Sequence, residues 1–485
     1  MSKPNLPSRA KEPPDWSADA GGAAVWHARA SQAFRDEQWE AAITRARRGQ
    51  LVDPRESSLC VLEALACIRR LNADASLAAR RVTVIAPDRA VGWRMLGALA
   101  YVTGRIDAAR DGARRALALT PNDLAAARNY FQILKNDGVW DIAITYGRRT
   151  HALAPNDDDA AFDLGMLYLA LGRWAEGWPL YDRRLALRDA RPRADRFELP
   201  FWDGSLALEL HLLVWTDQNI GDEMQFGRLL PEVTARVGKV TVECDPRLVP
   251  LFARSFPSIT IVPRADPPAP VMDAGPYDIQ IPQGHLGRLL RSDPAAFDRG
   301  PRRWLAAGAE RASRLRDRYR EWSGGRPVIG IAWKSVNVKF QGKNVPLPLW
   351  APVMRATNAL FLSVQYGSVC DDLSAARAAT GVDIAHDPEI DPMVDLDGFA
   401  AQLEAVDAVI SISNSTIHQA CGLGRPVMGL LHVRPDWRWG LTGDTSPWFP
   451  SLRLYRQRDR GDWAPVLERV GADLRRWLAG DRGPW

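Results

Sequence analysis

Apolar positions in the first third of the chain follow a helical spacing that proline interrupts at regular intervals. Pro54, Pro87, Pro121 and Pro155 lie 33, 34 and 34 residues apart, and each stands just before a new apolar helical pattern. Two short helices and a turn fill an interval of this length. The pattern therefore predicts an array of paired helices over residues 23–187.

The interval from Ala90 to Pro121 shows the repeat most clearly. Its large and small residues stand at fixed positions, namely Trp93, Leu96, Gly97, Ala109, Ala113 and Ala116. This period and pattern resemble the tetratricopeptide repeat. Such repeats stack into an array with a concave surface that suits a peptide or a folded partner. An unrelated helical bundle is the alternative.

Beyond Leu187 short apolar runs alternate with helical patterns, which is typical of parallel sheets covered by helices. One set of predicted strands comprises Leu210–Trp215, Val240–Cys244, Ile259–Val262 and Tyr277–Ile281. The other comprises Val328–Trp333, Leu360–Gln365, Val382–His386, Ala408–Ile412, Pro426–Leu431 and Leu452–Tyr455. Long amphipathic helices are predicted over Trp304–Trp322 and Trp463–Leu478. Two α/β lobes joined near Gly325 would form a cleft.

This reading divides the chain into five parts. They are a disordered tail (1–22), the repeats (23–187), a junction (188–204), an N-terminal α/β lobe (205–325) and a C-terminal α/β lobe (326–485). A length of 485 residues agrees with two or three folded domains.

Composition narrows the class of protein. Hydrophobic residues make up 46% and charged residues 25% of the chain, as in soluble globular proteins. The net charge is only +5 and the arginines are dispersed among acidic residues, so no nucleic-acid partner is expected. No apolar run approaches the roughly 18 residues of a membrane span, and the five cysteines lack zinc-ligand spacing. These features predict a cytoplasmic protein with free thiols.

A polar cluster follows the predicted strand Ala408–Ile412. Asn414, Ser415, Thr416 and His418 stand where that strand gives way to a helix. Free backbone N–H groups and the positive end of the helix dipole favour an anion there, and phosphate is the expected ligand. Alternatively, Asn414 only caps the helix and His418 is a satisfied residue of the core.

A basic loop, the second candidate anion site, follows the strand Pro327–Trp333. The chain has seven lysines, and three of them, Lys334, Lys339 and Lys343, lie within ten residues in this glycine-containing loop. Compact ammonium groups on such a loop are suited to neutralising phosphate. A solvated surface loop would have a similar composition.

Asp222 lies in the polar loop after the strand Leu210–Trp215, just where a helix is predicted to begin. Ligands of open α/β sheets bind at the carboxyl ends of the strands, so Asp222 is expected to face the cleft. There it could accept a proton from a hydroxyl nucleophile. The alternative is an aspartate that caps its helix.

Together these motifs resemble bacterial tetratricopeptide proteins whose C-terminal half is similar to the heptosyltransferase-type (family 9) glycosyltransferases of GT-B fold. The resemblance covers roughly residues 40–480. It rests on Gly221-Asp222-Glu-Met-Gln-Phe, Gly330-Ile-Ala-Trp-Lys, Ser413-Asn-Ser-Thr-Ile-His418 with Gly424-Arg-Pro-Val427, and Asp436-Trp-Arg-Trp439 with Ser446-Pro-Trp448. In the last motif the tryptophans either close over a ligand or, as we expect, pack the lobe.

The resemblance implies a metal-independent, inverting sugar transfer from a nucleotide sugar, which is a substrate, so no cofactor is expected. Asp222 matches the proposed general base. The implied donor and phosphate contacts are Lys334 with its loop residues Ser335, Lys339 and Lys343, then Gln365, and the helix start Asn414, Ser415, Thr416 and His418. One departure is Ser413, where relatives often have aspartate.

The leading hypothesis is a glycosyltransferase that acts on a protein recruited by its repeats. Flagellin is an acceptor suggested by similar tetratricopeptide glycosyltransferases. One alternative is a non-catalytic repeat scaffold with a degenerate transferase half. Another is an envelope-polysaccharide glycosyltransferase. The sequence does not specify the sugar or the nucleotide.

Overall fold

A computed structural model describes residues 22–70, 74–187, 197–265, 277–335 and 342–481. The tail predicted for residues 1–22, apart from Gly22, and Lys339 lie outside the described residues. The chain forms two compact units, Met1–Ala154 and Pro155–Trp485. The finer domain boundaries stay predictions.

The first unit consists of tetratricopeptide-like helical pairs. In its described residues, 22–70 and 74–154, the helices are α1 (Ala23–Arg35), α2 (Trp39–Val52), α3 (Ser57–Arg69), α4 (Ala75–Ile85), α5 (Ala90–Val102), α6 (Ile106–Leu119), α7 (Leu124–Asp137) and α8 (Trp140–Leu153). Pro54, Pro87 and Pro121 lie in the turns between successive pairs. The helical repeat predicted from proline spacing is confirmed.

Small residues allow the paired helices to approach closely. A Cβ atom on Gly112 of α6 would lie 2.8 Å from the Cα atom of Gly97 of α5. Since real Cβ atoms do not come so near a backbone, any larger residue at either position would push the pair apart. The glycine predicted to be a packing position thus has a direct structural reason.

The second unit opens with another helical pair and continues into α/β structure. Its described helices are α9 (Asp158–Ala170), α10 (Trp174–Tyr181), α11 (Ile220–Gly227), α12 (Leu230–Thr234), α13 (Val249–Ser255), α14 (Leu286–Leu290), α15 (Ala309–Ser323), α16 (Ala351–Arg355), α17 (Cys370–Thr380), α18 (Leu396–Ala405), α19 (Ser415–Gly422) and α20 (Ala464–Leu478). Among the described residues of the whole chain, no helix is both long and apolar enough to cross a membrane.

Two parallel sheets lie in the second unit. The first has the order β3-β2-β1-β4 and the second the order β6-β5-β7-β8-β9. The strands are β1 (Ala207–Trp215), β2 (Val237–Cys244), β3 (Thr260–Pro263), β4 (Ile279–Pro282), β5 (Val328–Ala332), β6 (Leu360–Ser363), β7 (Ala408–Ile412), β8 (Val427–Leu431) and β9 (Leu452–Arg456). Buried apolar runs form β5, β7 and β8, as expected for strands covered on both faces.

Two predicted elements differ from the structure. The strand predicted over Val382–His386 is only a single bridge between Ala385 and Leu362, because this half-exposed segment lies outside β6 at the sheet edge. The helix predicted from Trp304 begins only at Ala309. The backbone N–H groups of Trp304 and Leu305 instead both donate to the carbonyl of Gly422, each at 2.9 Å, so this stretch is fixed to the end of α19 and is not helical.

One large hydrophobic core joins the helical pair α9–α10 to both sheets. It contains Trp174 and Trp178 of α10, Leu212 of β1 and Val409 of β7. A second cluster lies under the outer face of the second sheet and includes Leu474 of α20. The final helix therefore packs on the second sheet.

Candidate functional site

The starts of two helices meet at the carboxyl ends of the two sheets. Helix α11 follows β1 of the first sheet, and helix α19 follows β7 of the second. A Cβ atom on Gly221 of α11 would lie 3.4 Å from Cδ2 of His418 in α19. The sequence motifs around Asp222 and Asn414 are thus brought together, where open α/β sheets bind ligands.

Asp222 has two partners. The backbone N–H of Asn219 donates to its Oδ2 at 3.3 Å in a capping box, so the helix-capping interpretation is confirmed. Its other oxygen, Oδ1, forms a charged hydrogen bond with Nη2 of Arg438. Burial raises the pKa of Asp222 above its ordinary value of 3.8, and the charge of Arg438 opposes this shift. A buried carboxylate with a raised pKa is a stronger base than a solvated one.

The neighbouring Glu223 is also buried but has a structural role. Its Oε1 accepts from Arg264 at 2.7 Å and its Oε2 accepts from the N–H of Asp245 at 2.8 Å. Glu223 is held by Arg264 and Asp245, whereas Asp222 contacts Arg438 beside the start of α19, so Asp222 is the better candidate base.

Arg438 is a site residue that the sequence argument missed. Its side chain is 12% exposed, and its Nε lies 3.7 Å from Oδ1 of Asp436. The Asp436-Trp-Arg-Trp439 motif attracted attention only for its tryptophans. Those are 3% and 0% exposed, so the prediction that they pack the lobe is confirmed. The only available signal in the sequence was the charged residue Arg438 between these two tryptophans.

The helix start at α19 has an unusual set of polar atoms. Oδ1 of Asn414 accepts from the N–H of Thr416 and from the hydroxyl of Ser411, each at 3.0 Å, so Asn414 does cap the helix. Within the described part of the chain, Nδ2 of Asn414 and Oγ1 of Thr416 are buried and have no hydrogen-bond partner. Such groups cost about 1–3 kcal/mol each unless something satisfies them. Capping therefore accounts for only part of this cluster.

His418 lies one turn into the same helix. It is 3% exposed, and its ring contacts Trp439 and Phe449 at centroid distances of 5.3 and 5.2 Å. Burial lowers the pKa of His418 well below its ordinary value, and the charges of Arg438 and Lys343 act in the same direction. His418 is therefore neutral and can offer an uncharged ring nitrogen to a ligand.

The basic loop divides into two groups. Lys343 is half-buried, and burial lowers its pKa, whereas the charge of Asp436 raises it. It belongs to the cluster that contains Arg438 and His418. Lys334 instead pairs with Asp372 and donates to the carbonyl of Ser368 at 2.7 Å.

Gln365 and Ser335 hold the loop backbone. Oε1 of Gln365 accepts from the N–H groups of Trp333 and Lys334, each at 2.9 Å, and its Nε2 donates to the carbonyl of Tyr366 at 2.8 Å. The N–H of Ser335 donates to Oδ1 of Asn344 at 2.8 Å. The nucleotide and phosphate roles that the resemblance implied for these residues stay predictions.

The loop that carries Asp222 is held by the last residue of α10 and by the turn that follows it. Nε and Nη2 of Arg184, which is 4% exposed, donate to the two oxygens of Asp217 at 2.8 and 3.3 Å. The hydroxyl of Tyr181 donates to Oε1 of Gln218 at 2.6 Å.

The same helical segment also supports the loop of Arg438. The ring of Trp437 lies 5.6 Å from that of Trp178 and 5.5 Å from that of Tyr181. The end of α10 and the turn after it therefore contact two loops, the one that carries Asp222 and the one that carries Arg438. A single sequence gives no signal for this arrangement.

Comparison with known proteins gives a relative in sequence, although no family model matches the chain. The chain is 31% identical over 336 residues to Protein FlbA of Caulobacter vibrioides, an alignment that covers 66% of this chain and 55% of that protein. The chain therefore spans about half the length of this relative.

Several solved structures are similar to about a third of this chain. MamA is 17% identical with a TM-score of 0.31, covering 37% of this chain and 98% of that one. YrrB, a TPR protein with an unusual peptide-binding site, is 16% identical with a TM-score of 0.30, covering 34% and 86%. A thermophilic TPR protein of Thermus thermophilus is 18% identical with a TM-score of 0.30, covering 36% and 96%.

Proposed function

We propose that this protein is a glycosyltransferase that moves a sugar from a nucleotide-sugar donor to an acceptor hydroxyl. One observation carries the proposal: Asp222, a buried carboxylate after β1, lies beside a helix start after β7 that holds buried polar atoms with no hydrogen-bond partner among the described residues. One group can take a proton and the other can hold phosphate. In this proposal the helical pairs hold a protein acceptor, with flagellin as the first protein to test.

The donor would place its diphosphate at the start of α19. Nδ2 of Asn414 and Oγ1 of Thr416 can donate to phosphate oxygens, and Lys343 and Arg438 supply positive charge nearby. When the bond between the anomeric carbon and the phosphate oxygen breaks, the electron pair stays on that oxygen. Donors already fixed in place stabilise this charge without reorganisation.

Asp222 would accept the proton of the attacking hydroxyl. In the structure its Oδ1 is occupied by Arg438. A donor phosphate offers Arg438 a competing anion, so donor binding is expected to release Asp222 for the acceptor. The donor would therefore bind before the acceptor, because Arg438 has to leave Asp222 for the donor phosphate before Asp222 can accept a proton. Proton removal by a positioned base contributes about 10²–10⁴-fold to the rate.

A non-catalytic scaffold remains the second candidate, and a specific observation favours it. Asp222, Lys334 and Gln365 all have partners within the protein. A degenerate site would retain these contacts while no ligand competes for them. The two candidates differ in one measurable property, which is binding of a nucleotide sugar.

Calorimetric titration with UDP-, GDP-, ADP- and CMP-sugars tests the proposal. One of these donors is expected to bind, and Thr416→Val should weaken that binding about tenfold, because it removes a hydroxyl while keeping the side-chain shape. Asp222→Asn should bind the same donor as the wild type but transfer sugar about 100-fold more slowly. Thr145→Val, at an exposed position of α8, is the matched control.

Three results would each contradict a part of the proposal. If none of the four donor classes binds the wild-type protein, the scaffold is favoured. If a donor binds but Thr416→Val and the wild type have equal affinity, the phosphate does not lie at the start of α19. Wild-type turnover in Asp222→Asn would return that residue to helix capping alone.

A further inference from the structure

A cavity lies at the edge of the second sheet where its strands begin. Its volume is about 530 Å³, and its walls include Val328 at the start of β5 and Asp407 just before β7. Because the strands are parallel, this edge is opposite to the one that carries Asn414 and His418. A second cavity of about 310 Å³ shares Arg425 and Trp477 with it.

The larger cavity is strongly cationic. Four arginines line it, namely Arg316, Arg320, Arg326 and Arg425, against the single carboxylate of Asp407. Oδ2 of that carboxylate accepts from the backbone N–H of Val328 at 2.8 Å. The side chain of Arg320 has no hydrogen bond or ion pair with any residue that the structure describes. The lining therefore has an excess of positive charge.

Backbone carbonyls rather than carboxylates hold most of these arginines. Nη2 of Arg425 donates to the carbonyls of Val406 at 2.5 Å and Asp407 at 3.1 Å. Nη2 of Arg316 donates to the carbonyl of Glu404 at 2.9 Å. Carbonyls fix the guanidinium groups in position but leave their charges largely uncompensated.

The nearest additional carboxylate is already engaged. Oε1 of Glu404 lies 4.0 Å from Nη1 of Arg425, and its Oε2 pairs with Arg303 at 3.2 Å. Nε of Arg425 is buried and has no hydrogen-bond partner in the described part of the chain. Burial lowers the pKa of the Arg425 guanidinium; the charges of Glu404 and Asp407 oppose this shift, and the like charges of Arg316 and Arg303 add to it. Positive charges crowded in this way are stabilised by an anion.

We propose that this cavity binds a small molecule bearing a diphosphate or triphosphate group. Guanidinium groups form paired hydrogen bonds with phosphate oxygens, and several lie around one space. A volume of about 530 Å³ is within the range of small-molecule sites. The indole of Trp477, which lines both cavities, provides an aromatic wall for a ring attached to the phosphates. None of these residues belongs to the site around Asp222.

The test measures binding of inorganic pyrophosphate and of ADP by calorimetry, with the full-length protein. The Thr416→Val background is used so that the start of α19 contributes little. The double substitution Arg316→Gln with Arg320→Gln is expected to weaken binding of both probes at least tenfold. Arg314→Gln, on the same helix but exposed and paired with Glu310, is the matched control and should bind as its parent does.

Pyrophosphate and ADP together show whether the cavity recognises the phosphates alone or also a ring attached to them. Equal affinities would assign recognition to the phosphates alone, and tighter ADP binding would add the Trp477 wall. Equal binding by the double variant and its parent would overturn the proposal, and so would an equal loss in Arg314→Gln, which would indicate general surface charge. Loss of sugar-donor binding in Thr416→Val with retained pyrophosphate binding would separate this site from the proposed transferase site.

Discussion

At the scale of single residues, His418 couples the candidate site to pH. Its imidazole is enclosed by Trp439 and Phe449, and burial lowers its pKa well below the ordinary 6.5. In the unfolded chain the same group gains a proton as pH falls below 6.5. The unfolded state then binds more protons than the folded state, so stability is present above 6.5 and is lost on acidification.

The expected loss can be measured. From about pH 8 to about pH 5, this one group should lower the free energy of unfolding by at most about 2 kcal/mol. His418→Gln should lack this component, so the difference in urea midpoint between wild type and variant should shrink or reverse as pH falls. A difference that stays constant over this range would contradict a buried neutral His418. Far-UV circular dichroism at about pH 8 controls for a general loss of fold.

Residue-scale prediction from sequence reached some of this site but not all. Asn414 and Asp222 stand at strand-to-helix transitions, which sequence patterns reveal, and both cap their helices as one interpretation expected. Arg438 could not be placed beside Asp222 in this way, because 216 residues separate the two. Their contact depends on how two sheets pack, and no local pattern encodes that.

At the scale of elements, α10 and the turn after it position the loop of Asp222. Tyr181→Phe removes one hydrogen bond, the 2.6 Å contact with Gln218, and leaves the aromatic packing in place. A hydrogen bond of this kind contributes about 0.5–1.5 kcal/mol, so turnover is expected to fall up to about tenfold. Donor affinity should not change, since the packing of the Tyr181 ring on Trp437, next to Arg438, is kept.

Steady-state kinetics separate this effect from simple destabilisation. The expected signature is a lower kcat with an unchanged donor KM, in a variant whose unfolding midpoint, though lowered by the lost hydrogen bond, still lies well above the assay temperature. Tyr146→Phe in α8 is a matched control from the first unit. Wild-type kcat in Tyr181→Phe would show that Arg184 and Asp217 hold the loop without this hydrogen bond.

The buried strands of the second sheet were easier to predict than the segment at its edge. The buried runs that form β5, β7 and β8 read directly from the sequence, because continuous apolar residues bounded by polar turns have few other uses. The segment Val382–His386 is also rich in apolar residues, although Asp383 interrupts them, but it pairs only through Ala385. Strand pairing needs a free edge and correct register, and these are properties of the sheet rather than of the segment.

At the scale of the whole molecule, the helical pair α9–α10 continues the proline period of the repeats but lies in the same compact unit as the two sheets. Trp174, Trp178 and Tyr181 of α10 are 7%, 1% and 1% exposed within the large core. The indole N–H of Trp178 also donates to the carbonyl of Arg291 at 2.7 Å. The proline period therefore groups α9 and α10 with the other helical pairs, whereas the hydrophobic core groups them with the two sheets.

This placement predicts where the chain can be divided. If the proposed function is correct, a fragment of residues 155–485 should fold cooperatively and bind the nucleotide sugar as the full-length protein does, but lose transfer to a protein acceptor, because it lacks the helical pairs proposed to hold that acceptor. A fragment beginning at Phe197 should not fold, because each of the three missing aromatic side chains is worth about 3–5 kcal/mol of core packing, against a total stability of about 5–15 kcal/mol. Calorimetric unfolding and donor titration of both fragments measure this. Cooperative unfolding of the shorter fragment would show that α9 and α10 are dispensable for the core, and full transfer activity in the longer one would show that the first unit does not recruit the acceptor.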